Sequence, residues 1–212
     1  MSTARGDLTA RALIRQESLR LFAAHGPDAV TVRQVAAAAG VSPALVVHHF
    51  ASKEGLRRAV DAHVLELFDD LVTVLERTDW SGGGAGRSLA EAFLARLPPD
   101  SPVPAYLRRL LLSGDPAGTQ LFRRWFALSR RLLEHPDTVA VLRPTADPAV
   151  RAAFLMVNDL ALLLLREPLE AVLAVDPLSR DGLARWAEAA MDVYRHGLFR
   201  EPAGADEQGG TA

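Results

Sequence analysis

The chain has 212 residues, of which 49% are hydrophobic, enough to bury a core of one or two domains. It contains no cysteine, which excludes a disulfide framework and a cysteine-ligated zinc site. The formal charge of −2 argues weakly against a nucleic-acid partner, but the charges are unevenly placed. Residues 1–60 carry Arg5, Arg11, Arg15, Arg20, Arg33, Lys53, Arg57 and Arg58 against Asp7, Glu17, Asp28 and Glu54, and the remainder is net acidic. A basic head on an acidic body fits a DNA-binding module joined to a part that avoids DNA. No charged-then-apolar leader precedes the first predicted helix, and the longest apolar run, residues 160–165, is far too short to span a membrane. The expectation is a soluble, cytoplasmic protein with no membrane partner.

After an N-terminal arm (1–8), residues 9–25 read as an amphipathic helix with Ile14, Leu21 and Phe22 on one side and Gly26 as its stop. Thr31 caps a second helix, with Gln34 completing a capping box, and Gly40 ends it. Ser42 caps a third, short helix (43–49) that has Pro43 at its first position, where a missing N–H is harmless. Ser52 caps a fourth helix running to about residue 77. The glycine-rich stretch 79–86 reads as a connector, and Ser88 with Glu91 opens a helix to about residue 96. Pro98, Pro99, Pro102 and Pro104 predict a rigid turn before a helix at 106–112; further helices are predicted at 116–134, 147–167 and 179–199. No stretch alternates with period two for long enough to argue a sheet. The predicted fold is all-α: a helix-turn-helix unit (9–55, the motif at about 31–50), a helical body (56–200) and a disordered Gly/Ala/acid-rich tail (201–212).

Residues 31–53 carry the function. Two short helices joined by a tight glycine turn, the second capped and followed by the only lysine in the chain, have the layout of a motif whose second helix enters the DNA major groove. Residues 9–60 resemble the TetR family of bacterial transcriptional regulators. The matches are Ile14, Leu21-Phe22, Gly26, Thr31-Val32, Val35-Ala36, Ala39-Gly40-Val41-Ser42, His49-Phe50, Ser52-Lys53-Glu54 and Leu56. The resemblance implies a homodimeric repressor. Its two heads grip a palindromic double-stranded operator, and its body binds a small-molecule effector that releases them.

The chain departs from the family inside the recognition helix, where Ala44-Leu45-Val46-Val47-His48 stands for a usual Gly-Thr-Leu-Tyr-Tyr. Leu45 and Val47 replace hydroxyl-bearing residues and can contact thymine methyls but no phosphate. The expected DNA-facing set is Thr31, Arg33, Ser42, Pro43, Ala44, Leu45, Val47, His48, His49 and Lys53. Thr31 and Ser42 sit at helix N-termini, which favour a phosphate oxygen. Lys53, a cation at a helix N-terminus, is explained by a phosphate partner.

Elsewhere the sequence offers structure rather than chemistry. Residues 81–88 have an arginine where a phosphate loop needs its lysine and no strand before them, so they read as linker. His63, Glu66 and Asp70 share one helix face as common surface residues; no metal or cofactor is expected. Between residues 154 and 165 only Asn158 and Asp159 interrupt apolar side chains. A helix so apolar must be covered on several sides, and pairing it with the last helix across two subunits would give a four-helix interface. The expected interface residues are Phe154, Leu162, Leu165, Trp186, Ala190 and Tyr194; Tyr106, Phe122, Trp125, Met156, Asn158 and Asp159 are expected to line an effector pocket. No catalytic dyad is legible, so no enzyme is expected. The alternative reading is a helical small-molecule carrier that has lost specific DNA binding, which the substitutions at Leu45 and Val47 keep open.

Overall fold

The computed structural model describes residues 2–75, 97, 100–140 and 142–197. The predicted connector (79–86), the helix predicted at 88–96 and the predicted tail lie outside the described residues. Within them every regular element is helical: α1 (Ser2–His25), α2 (Val32–Ala38), α3 (Pro43–Phe50), α4 (Lys53–Leu75), α5 (Val103–Leu112), α6 (Pro116–Glu134), the single turn α7 (Pro136–Val139), α8 (Pro148–Leu164), α9 (Arg166–Leu173) and α10 (Arg180–His196).

Three bounds differ from the sequence reading. Residues 2–8 continue α1 rather than forming an arm. The helix expected to open after the prolines begins at Val103, with Pro104 in its first turn, where proline replaces an N–H that has no intrahelical partner. The helix predicted at 147–167 breaks at Leu165, and α9 leaves α8 at 80°. Pro168 accounts for the break. Continued through it, the helix would lose one hydrogen bond and clash with the carbonyl four residues back, whereas in the first turn of a new helix proline is tolerated.

One continuous core joins head and body. Ile14 and Phe22 of α1, Val35 of α2, and Val46 and Phe50 of α3 close around Leu56 and Val60 at the start of α4. Val64 and Phe68 carry the same stripe along α4 at the four-residue helical stride, into a body formed by Tyr106, Leu107, Trp125, Leu128, Met156 and Leu160. The Phe68 and Trp125 rings lie 5.3 Å apart at 38°. Each such side chain, fully buried, contributes about 1.5–3 kcal/mol. In the body α6 packs on α8, and α5 bridges α1, α6 and α8.

One polar pair is set into this core. The Tyr106 hydroxyl on α5 donates to Asp61 Oδ1 on α4 at 2.6 Å, and both residues are buried. Burial pushes the Asp61 carboxyl above its usual range, against the Tyr106 hydrogen bond and the nearby Arg57, both of which favour the charged form. A raised folded-state pKa means that the native state holds the proton more tightly than the unfolded chain. The ionised carboxylate therefore costs stability as pH rises through that raised value, and the cost vanishes below the ordinary carboxylate pKa. An asparagine at this position would still accept from Tyr106 without a buried charge. Asp61→Asn is accordingly expected to be at least as stable as the parent in urea at pH 7, with the difference shrinking toward pH ~4. A loss of more than about 2 kcal/mol at pH 7 would show instead that the charge itself is needed.

Candidate nucleic-acid interface

The geometry of the head follows from its caps. Thr31 is extended (φ −99°, ψ 156°); its Oγ1 accepts from the Gln34 N–H at 3.2 Å and its own N–H donates to Gln34 Oε1 at 2.8 Å. This is the capping box expected from sequence. At the other end of α2 the Val41 N–H reaches the Ala36 carbonyl (2.9 Å) and the Gly40 N–H the Ala37 carbonyl (3.3 Å). That pattern needs a left-handed residue, which Gly40 supplies at φ 65°. Ser42 Oγ then accepts from the Leu45 N–H at 3.2 Å, with Pro43 in the first turn of α3. Ala51 closes α3 at φ 64°, and Ser52 Oγ accepts from the Gly55 N–H at 3.0 Å to start α4.

These turns fix which face of α3 meets solvent. Val46 and Phe50 are buried, and Arg11 of α1 lies over the Phe50 ring, 5.6 Å from its centroid. Pro43, Ala44 and His48 are exposed, as is Val47 at 47%; Leu45 and His49 are half-buried. The outward face of the recognition helix is thus small and apolar, with His48 as its polar member. Thr31, Arg33 and Ser42 are exposed beside it. Lys53 is tied to the loop before α2: its ammonium donates to the Asp28 carbonyl at 2.9 Å. One of its three donors is spent on holding that loop, which leaves two for a phosphate.

In the body, the sequence-predicted pocket residues divide. Tyr106, Trp125 and Met156 are brought together within the core, whereas Phe122 is 43% exposed and turns away from it. Phe122 lies at the edge of the α6 apolar arc, next to Arg123 and Arg124, and its ring follows the solvated side. Asn158 is half-buried; Asp159 is buried and close enough to Tyr194 of α10 to add to the rise that burial imposes on that phenol. The predicted interface also divides. Phe154 (66% exposed) and Leu165 are on the surface, joined by Val150 and Val157, but Leu162 is 1% exposed and packs inward. On α10, Tyr194 is exposed, Trp186 and Ala190 are half-buried, and only Gly182 and Leu183 are buried among the described residues. His63 Nδ1 lies 3.8 Å from Glu66 Oε2, and no group of three potential metal ligands converges among the described residues.

Three residues that sequence reasoning passed over hold α1 and α4 to α5 and to the start of α6. Arg109 of α5 donates from Nε to the Ala23 carbonyl (2.7 Å) and from a terminal nitrogen to the Ala24 carbonyl (2.8 Å). Arg57 of α4 is paired with Asp115, the residue that precedes α6. Asp61 holds Tyr106. The available signal was polarity within apolar stretches: Arg108-Arg109 interrupt the apolar α5, and Asp61 lies next to the buried stripe of α4.

A capped recognition helix exposed on a basic head, carried on an all-helical body, defines a helix-turn-helix DNA-binding regulator. The family model for bacterial regulatory proteins of the tetR family matches residues 14–60, and that for the tetracyclin repressor-like C-terminal domain matches residues 99–200. The chain is 32% identical over 203 residues to the HTH-type transcriptional regulatory protein RaaS of Mycobacterium tuberculosis (strain ATCC 25618 / H37Rv), covering 93% of this chain and 90% of that one. It belongs to the TetR family of transcriptional regulators, whose members act as dimers with an effector. Its fold is similar to that of AibR, solved in complex with isovaleryl coenzyme A and operator DNA (TM-score 0.64, 16% identity, 87% of this chain and 97% of that one). It is likewise similar to CprB of Streptomyces coelicolor, solved with its operator sequence (TM-score 0.60, 24% identity, 89% and 98%).

Lys53 joins the loop before α2 to the expected phosphate path, so its removal tests both roles. Lys53→Gln should weaken DNA binding at all sequences alike and lower the slope of log affinity against log salt by about 1. Its stability should change by less than about 1 kcal/mol, because the Asp28 carbonyl is exposed to water. An unchanged salt slope in a titration would remove Lys53 from the interface.

Proposed function

We propose that the protein is an effector-relieved repressor that grips a palindromic operator as a homodimer in the cytoplasm and has no catalytic role. The observation that carries the DNA half of this reading is the outward face of α3. Ala44, Val47 and His48 stand free of the core at the end of a rigidly capped turn, beside the exposed Thr31, Arg33 and Ser42. Phosphate contacts fix the register, through the N-termini of α2 and α3, Arg33 and Lys53. Base reading falls to Ala44 and Val47 through thymine methyls, with His48 placed for a polar contact. The operator DNA present with AibR and with CprB, and the isovaleryl coenzyme A present with AibR, support a DNA partner and a small-molecule effector. Tyr106, Trp125 and Met156 share one core with the α4 stripe, and an effector inserting among them would move α4. Movement of α4 changes the separation of two recognition helices that must meet half-sites spaced by whole turns of DNA.

Dimerisation is assigned to the outer faces of α8 and α10. Val150, Phe154 and Val157 recur at helical spacing along one exposed side of α8, with Leu165 at its end, and the half-buried Trp186 and Ala190 lie along α10 with Tyr194. An exposed apolar stripe of that length marks an association surface.

Each half has its own test. Replacing thymine by uracil across a selected operator should weaken binding about fourfold for each methyl that Ala44 or Val47 contacts, the equivalent of about 0.8 kcal/mol per methyl. Equal affinity for the two duplexes would refute reading through methyls. Phe154→Asp should turn the dimer into monomers by light scattering after gel filtration, with operator binding lost and the thermal transition retained; an undisturbed dimer would move the interface elsewhere.

A further inference from the structure

A wide opening lies at the junction of head and body, away from the packed interior of the body. It is a cleft of about 900 Å³ between the end of α1, the loop before α2, the start of α4, and α5 with the turn after it. That volume suits a small organic ligand. Three guanidiniums line it from two helices: Arg57 of α4, and Arg108 and Arg109 of α5. Arg57 is held by Asp115, and Arg108 by the exposed Glu167 at 3.0 Å. Arg109 differs, because the partners found for it among the described residues are the neutral carbonyls of Ala23 and Ala24. Leu112, 65% exposed, gives the same cleft an apolar wall. A guanidinium satisfied only by carbonyls gains more from an oxyanion, which it can meet with two parallel, charge-assisted hydrogen bonds.

We infer that this junction cleft binds a small organic oxyanion, a carboxylate or phosphate on an apolar tail, with Arg109 and Arg108 meeting the head group and Leu112 the tail. Binding competes directly with the hold of the body on the head. An oxyanion that draws Arg109 away takes two hydrogen bonds from the C-terminal carbonyls of α1 and frees the end of the helix that carries the head. The regulatory consequence rests on the operator-binding reading above; the binding itself does not.

Titration calorimetry on the free full-length protein reads the site without DNA, so failure of operator binding would leave its result intact. Decanoate and decyl phosphate serve as probes, with decyltrimethylammonium as a cation of the same tail. At least one anion should bind and the cation should not; the head group that binds distinguishes a carboxylate from a phosphate ligand. Arg108→Gln, at a half-buried position, and Leu112→Glu, at an exposed one, should each weaken the anion at least tenfold, with a thermal melt to show that the variant is folded. Hydrogen exchange at residues 22–29 should quicken when the anion is bound. Absence of binding by both anions, equal binding of the cation, or full affinity in both folded variants would overturn the proposal.

Discussion

The last turn of an α-helix leaves carbonyls with no intrahelical partner, and a helix end that is partly buried must find one for each. At the end of α1 the chain turns away at Gly26, and the carbonyls of Ala23 and Ala24 are satisfied by Arg109, 86 and 85 residues further along. Hydrogen bonds from a charged donor contribute about 1.5–3 kcal/mol when shielded from water and less when, as here, one of the two is exposed. Their position matters more than their strength. They fasten the first helix of the head to α5, which also packs on α6 and α8 of the body. Head and body therefore share two joints of different character: an apolar one through the α4 stripe and a charged one through Arg109.

The two joints have different tolerances. An apolar core is held by close packing with no directional preference at any one contact, whereas a guanidinium on two carbonyls holds one directional geometry. Around the charged joint lie the Arg57–Asp115 pair and the buried Tyr106–Asp61 hydrogen bond, so α4 and α5 are pinned to each other beside the cleft. A signal reaching the recognition helices has to pass through α4, α5 or both. Polar contacts concentrated at the junction, with an apolar interior on either side, give the regulator discrete positions rather than a continuum of angles.

The head was legible in the sequence because local rules determine it. Thr31 with Gln34, Gly40, Ser42 with Pro43, and Ser52 each act within four residues, and each folds as the spacing requires. The body was legible as helices but less so as sites. Pro168 breaks the long apolar helix because its ring forbids continuation, a signal present in the sequence that the apolar run outweighed. Leu162 and Phe154 look alike in sequence, yet one faces the interior and the other solvent, because the rotation of α8 is set by its packing on α6. Arg109, Arg57 and Asp61 were invisible as sites for a stronger reason: their partners lie 45 to 86 residues away, and no spacing rule connects them.

The regulator works as described only if the exposed face of α3 reads DNA. The direct measurement is selection of binding sites from a random duplex library at physiological salt with excess nonspecific DNA, followed by the stoichiometry of the complex on the selected site. The exposed, capped α3 calls for a palindromic consensus bound by two protomers and resistant to competitor. A selection that enriches no sequence, with binding that fades as competitor is added, would contradict it and leave a helical ligand-binding protein in place of a regulator.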